Sequence, residues 1–424
     1  MRPRYAISEN APAIAGAAAC LLVVAWLGIH GWSWPDWQYE ARPAVGALLA
    51  GHVSRFLALA PVYGGSLILR APFLMTTKLW GGGELSIYAA GAAPCLLAAG
   101  AVGVWLTARM RALGRSPAAR GVALVLCVAN PLTVPALQIG HPEEILGAAL
   151  CVAAVLCAMD DRPIWAAVLL GLAIANKEWA VVAAGPVLLA LDRARLRGLL
   201  ITGVTAGALL APFMLGASGG VAAQTAATGA STGDVFQPWQ IWWFLGTHGH
   251  LAKGMHPGYR TPPSWIETLS HPVIAGITVP LSALYAVVRR TGRRTVPNAP
   301  LLLLTLLLAL RCLLDPWDIS YYALPFLVAL VTWESLSCDR LPVLSLLAAV
   351  ATWIIFRTTA TLGLSGDMQA LVFTVVSVPS VLALTQAIYA PGVARRLASR
   401  RDRAAATSAG GWPYPRTRNA GAGT

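Results

Sequence analysis

The sequence predicts an all-α, polytopic transmembrane helical bundle, and three observations carry that prediction. Hydrophobic residues make up 57% of the 424-residue chain and charged residues only 12%, about half the charged share of a soluble domain. Apolar runs close to the ~20 residues of a spanning helix recur from residue 11 to residue 390. The runs are continuous rather than alternating, which excludes a membrane β-barrel.

The elements follow in order. The run 11–30 comes after the basic "MRPR" and has no small-residue cleavage site, so it reads as an uncleaved span. A polar stretch leads to 57–77, which is apolar but interrupted by Pro61, Gly64, Gly65, Arg70 and Pro72. Further spans are expected at 84–107, 118–138, 142–159, 163–176, 178–191, 198–216, 268–288, 298–314, 319–336, 341–359 and 368–390. The total is about 11–13 spans, with 163–176 and 178–191 short enough to form a V-shaped pair.

Charge fixes the orientation. If 57–77 crossed the membrane, "RMRALGR" (109–115) would face outward and the arginine bias would reverse. As a surface-lying or re-entrant segment, 57–77 leaves 22 of the 28 Arg on the cytoplasmic side. The outer side then holds eleven of the eighteen acids and nine basic residues. Both termini are expected in the cytoplasm. A membrane domain, 1–390, contains a first extracytoplasmic loop with the re-entrant segment (31–83) and a long extracytoplasmic loop (217–267). The tail 391–424, with "RRLASRRDR", reads as basic and disordered.

The net charge of +13 does not imply nucleic acid, because the arginines sit in short clusters between apolar runs. The seven Cys form no CxxC or zinc spacing and read as small buried residues. There is no internal repeat. Abundant Ala, Arg and Gly beside three Lys fit a GC-rich bacterium and its plasma membrane.

This topology collects the unusual polar residues on the outer face. In "QIGHPEEILGAAL", Pro142 suits a first helical position, and Glu143 and Glu144 in the first turn suit the positive end of the helix dipole. The same residues can hydrogen-bond a ligand, and His141 is the one expected to face a phosphate. Asp36 stands among Trp32, Trp34 and Trp37, which are either an interfacial belt or the low-dielectric walls of a general base. Glu40, four residues on, is the reserve base. Lys177 in "NKEW" either pairs with Glu178 or supplies a compact ammonium for phosphate.

Arg311 and Arg357 near span ends are phosphate ligands or bilayer anchors. Asp315 and Asp318, beside Trp317, Tyr321 and Tyr322, form a tight turn in which the aspartates cap or bind. In "FQPWQIWWFLG" the i, i+3, i+4 spacing puts Trp239, Trp242 and Trp243 on one helical face, as an anchor or a stacking platform for a sugar or lipid. His248, His250 and His256 lack acidic or thiol partners at ligand spacing, so no metal is expected there.

A carboxylate after the first span, "EARPAVGALLAG", the interrupted surface segment, "ANPLTVPALQIGHPEEILGAAL", "GLAIANKEWAVVAAGPVLLAL" and "LLDPWDISYYALPFLVAL" follow one another in a familiar order. The chain resembles the GT-C class of integral-membrane glycosyltransferases, particularly the family 87 polyprenol-phosphate-mannose-dependent mannosyltransferases, over most of residues 1–390. The resemblance implies a polyprenyl-phosphate sugar donor, mannose foremost, and a glycan or glycolipid acceptor on the extracytoplasmic face. It also implies inversion by direct displacement, with Asp36 at the position of the family's general base. Many members carry two adjacent acids there, whereas this loop has Asp36 with Glu40 a turn later. No cofactor or metal is expected. The competing functions are a proton-coupled transporter or flippase built on His141, Glu143, Glu144 and Lys177, and a non-catalytic envelope scaffold.

Overall fold

A computed structural model describes residues 7–191, 194–216, 236–248, 260–290 and 296–390. The described chain is an all-α polytopic bundle. Its first part comprises α1 (Ile7–Ile29), α2 (Arg42–Leu49), α3 (Val53–Leu59), α4 (Gly64–Thr76), α5 (Glu84–Ala112) and α6 (Pro117–Val128). Next come α7 (Thr133–Ile139), α8 (Pro142–Met159), α9 (Pro163–Asn176), α10 (Ala184–Ala190) and α11 (Arg195–Gly216). The last part holds α12 (Ser264–Arg290), α13 (Ala299–Leu314), α14 (Leu324–Ser337), α15 (Val343–Trp353) and α16 (Gly366–Tyr389). Among the described residues eight helical stretches are long and apolar enough to cross a membrane, and three apolar helices are shorter. The protein is therefore a multi-pass membrane protein.

Local chemistry explains the main boundaries. Proline occupies the first helical position of α6, α8 and α9, where its missing N–H leaves no hydrogen bond unmade. Ser116 caps α6 by accepting from the Ala119 N–H at 3.2 Å. Helix α8, "PEEILGAALCVAAVLCAM", is the centre of the bundle, with 89% of its apolar window buried. Its Ala, Gly and Cys residues let α5, α9 and α14 pack closely around it.

Segment 57–77 folds as the end of α3 followed by α4, with the interruption falling at 60–63, around Pro61. One face of α4, with Gly65, Ser66, Leu67, Arg70 and Leu74, is buried against α5 and α9. A Cβ on Gly65 would come within 2.1 Å of the Ala175 carbonyl, so glycine sets how near α4 lies to α9. The 178–191 and 319–336 segments each begin with a 3-10 turn, at Glu178–Ala183 and Ser320–Ala323, before α10 and α14.

The helical face expected for Trp239, Trp242 and Trp243 is not formed. Residues 236–246 make turns and one short 3-10 helix, Trp243–Leu245. The segment uses its donors on the end of α13: Gln237 N–H to Pro316 O at 3.0 Å, Ile241 N–H to Leu313 O at 2.9 Å, and the Trp242 ring N–H to Leu314 O at 2.7 Å. Tertiary acceptors replace the helical ladder there. His250, His256 and the tail 391–424 lie outside the described residues.

Candidate active site

Asp36 is presented by its neighbours. Trp34 and Trp37 on either side are buried and both pack on Tyr88 of α5, at ring separations of 4.6 and 5.2 Å. The carboxylate between them keeps 35% of its side-chain surface. A π-helical turn, Trp37–Ala41, follows and carries the exposed Glu40.

His141 stands at a corner. Helix α7 ends at Gly140 with φ +119°, and a Cβ there would meet the Trp37 N–H nitrogen at 2.5 Å. Only glycine makes this turn against Trp37. Pro142 then opens α8, and Glu143 and Glu144 in its first turn are fully buried. Lys177 occupies the extended residue between α9 and the Glu178–Ala183 turn, so its side chain leaves the break instead of a helix face.

The fold brings these residues into one connected group. His141 Nε2 lies 2.9 Å from Asp36 Oδ2, and its Nδ1 lies 2.6 Å from Glu143 Oε1. Glu143 Oε2 accepts from the Arg70 guanidinium at 3.2 Å, and the Asn176 side chain donates to the Glu143 carbonyl at 2.8 Å. Lys177 Nζ sits 3.6 Å from Glu143 Oε1 and 3.6 Å from Glu144 Oε1, and 4.2 Å from the Tyr63 ring centre. Arg311 lies 3.7 Å from Glu144 Oε2, between the Trp179 and Tyr322 rings. Tyr63 donates its hydroxyl to Glu40 Oε2 at 2.6 Å, and the Tyr321 ring covers His141 at 4.7 Å.

Burial favours a neutral His141 ring, but the Glu143 charge and the hydrogen bonds to Asp36 and Glu143 outweigh it and hold the imidazolium up to about 9. At neutral pH the ring therefore carries a proton on each nitrogen and donates to both carboxylates. One Asp36 oxygen is fixed in this way, while the other side of the carboxylate stays open. Asp36, Glu40 and His141 also offer ligand atoms within 4.8 Å of one another, but a protonated imidazole has no lone pair to give, so a divalent ion could be held there only with the ring neutral.

Asp315 and Asp318 stand behind the group at the end of α13. Asp315 caps the Trp317 N–H at 3.0 Å and faces His271 at 3.6 Å. Asp318 is fully buried with both oxygens unpaired, and burial together with Asp315 pushes its carboxyl well above the usual range. Arg357, Trp239 and Trp243 belong to another neighbourhood. Arg357 lies exposed over Trp353, Trp239 packs on Phe356, and Trp243 stacks on Phe236 and donates to Asp367 at 2.8 Å. Arg260 clamps the same Asp367 carboxylate at 2.9 and 3.0 Å. Arg70, Tyr63, Trp179 and Asn176 join the group without standing out in the sequence as site residues. The signal for Arg70 was a lone charge sharing a face with Leu67 and Leu74 at i−3 and i+4.

Residues 84–193 match a family model. Its description is alpha-(1->6)-mannopyranosyltransferase, N-terminal domain, of the MptA/B family. The matched stretch runs from the first residue of α5 to just past α10 and contains His141, Glu143, Glu144, Asn176 and Lys177. Asp36, Glu40, Arg70 and Arg311 fall outside it. The match supports a glycosyltransferase that acts with mannose. No curated protein and no solved structure matches the chain.

Proposed function

We propose that this protein transfers mannose from a polyprenyl-phosphate donor to a glycan or glycolipid acceptor on the extracytoplasmic face of a bacterial plasma membrane, with inversion and with Asp36 as general base. The observation that carries the reading is the half-exposed Asp36 carboxylate held at 2.9 Å by buried His141, beside Lys177. The arginine distribution supports the extracytoplasmic side for the site. The family match supplies mannose, and the resemblance to family 87 enzymes supplies the lipid-linked donor.

In this mechanism the acceptor hydroxyl gives its proton to Asp36 as its oxygen bonds to the mannose C1. The C1–oxygen bond to phosphate breaks from the opposite side, and the electron pair leaves with the polyprenyl phosphate. Lys177 is 3.6 Å from each glutamate, too long for a hydrogen bond, so its donors are available to the leaving phosphate. Cations placed where charge develops are a large source of rate. Tyr63 and Tyr321 wall the site and suit sugar faces, and Glu40 is the reserve base.

The test is transfer of labelled mannose from polyprenyl-phosphate-mannose to native acceptors by wild type and Asp36→Asn at equal expression. A loss of about 100-fold or more in the variant is expected, the least that general-base catalysis is worth. Full activity in the variant transfers the role to Glu40. A wild type that moves no mannose from this donor overturns the donor assignment.

A further inference from the structure

We infer that Arg70 is the positioning residue of this site, holding Glu143 and Trp37 so that His141 and Asp36 meet in register. The inference rests on the reading of Asp36 as general base. Arg70 is wholly buried on α4, inside a segment whose sequence shows only an interrupted apolar run. Its Nε donates to the Gly91 carbonyl at 2.7 Å, and one terminal nitrogen donates to Glu143 Oε2 at 3.2 Å. Its guanidinium lies 5.4 Å from the centre of the Trp37 ring.

These contacts grip the catalytic pair from both ends. Binding Oε2 of Glu143 leaves Oε1 turned toward His141 Nδ1 at 2.6 Å, which sets the rotation of the imidazole and aims Nε2 at Asp36. The same guanidinium covers Trp37, the residue next to Asp36 in the chain. A rigid planar fork suits this two-sided task better than an ammonium. The second terminal nitrogen is buried without a hydrogen-bond partner, which is unfavourable for a charged group. A side chain serving stability alone would not be expected to leave that donor unpaired. Gly91 makes room for it, since a Cβ there would stand 3.1 Å from that nitrogen.

The experiment compares full-length wild type, Arg70→Lys, Arg70→Met and Asp36→Asn, reconstituted in liposomes. It reads kcat and donor KM for mannose transfer, the melting temperature, and the histidine-ring nitrogen spectrum without substrate. Arg70→Met should lower kcat by between about 10- and 100-fold, as misplacement of a reacting group does, with donor KM within about two-fold of wild type. Arg70→Lys should fall between them. The downfield N–H resonance of the short His141–Glu143 bond should persist in Asp36→Asn and vanish in Arg70→Met. If Arg70→Met does not fold, Arg70→Lys carries the test, and reduced kcat at unchanged melting temperature supports the inference. A folded Arg70 variant with wild-type kcat, or Arg70→Met with the resonance intact, overturns it. If wild type moves no mannose, the donor assignment fails by itself, and the resonance still tests what Arg70 holds.

Discussion

Glu143 sits 2.6 Å from His141 with its carboxylate entirely out of contact with solvent, so the imidazole has a buried anion behind it and Asp36 in front. The proton on His141 is a structural element of this arrangement. The folded ring holds it up to about 9, against 6.5 in an unfolded chain. The raised value means that the ring's contribution to stability is complete below pH 6.5, declines above it, and is lost as pH passes about 9. Melting temperatures of wild type and His141→Gln should differ most at about pH 6 and converge toward about pH 9. A gap that widens as pH rises would mean the ring is neutral in the fold.

The Arg311–Glu144 pair gives a second expectation. Arg311 is 3% exposed and Glu144 is fully buried, and without Arg311 the glutamate keeps Lys177 at 3.6 Å and the Trp179 ring N–H at 3.2 Å on its other oxygen. Arg311→Met should destabilise by about 1–3 kcal/mol, less than for a wholly uncompensated charge, and adding Glu144→Gln should recover part of the loss. The check is a double-mutant cycle followed by thermal unfolding in detergent. Additive losses would show that the two side chains are energetically independent.

Gly140→Ala places a Cβ against the backbone of Trp37 at a φ of +119°. Strain of about 1–3 kcal/mol is expected, and any relief must move either His141 or the loop that carries Asp36. Transfer should therefore fall by more than the loss of folded protein explains. Gly121→Ala is the control, because its Cβ meets open space. Equal behaviour of the two variants would remove the corner at Gly140 from the mechanism.

Glu334 is buried on α14 and accepts from the Leu344 N–H at 2.9 Å, and from the Ser345 N–H and hydroxyl at 2.8 and 2.7 Å. It fastens the start of α15, away from the His141 group. Glu334→Ala should lower the melting temperature, with a loss of about 1–3 kcal/mol for the exposed donors, and leave kcat per folded molecule unchanged. A specific fall in kcat would tie α15 to the chemistry.

How much of this could be seen in the sequence depended on what each residue's signal requires. The spans were legible because length and continuous hydropathy are local properties, and the break at Lys177 was visible as charge within apolar sequence. His141, Glu143, Glu144, Lys177 and Arg311 stood out for the same reason, and the fold gathers them. Their mutual pairing was not legible, since it depends on how α4, α8, α9 and α13 pack. Arg70 was hidden because the proline and glycine breaks around it mask the short helical face it shares with Leu67 and Leu74. The Trp239, Trp242 and Trp243 spacing misled because the acceptors that replaced the helix lie on α13.

Lys177 shared between Glu143 and Glu144, and Arg311 facing Glu144, amount to a miniature ion exchanger sealed in protein. For the phosphate-linked donor proposed above, binding is then a trade of counter-ions more than a gain of new charge. The exchange takes place in the interior, where bulk salt screens weakly. Donor affinity should accordingly depend little on ionic strength, while the selectivity of the site follows from how much better a phosphate satisfies Lys177 than the glutamates it displaces.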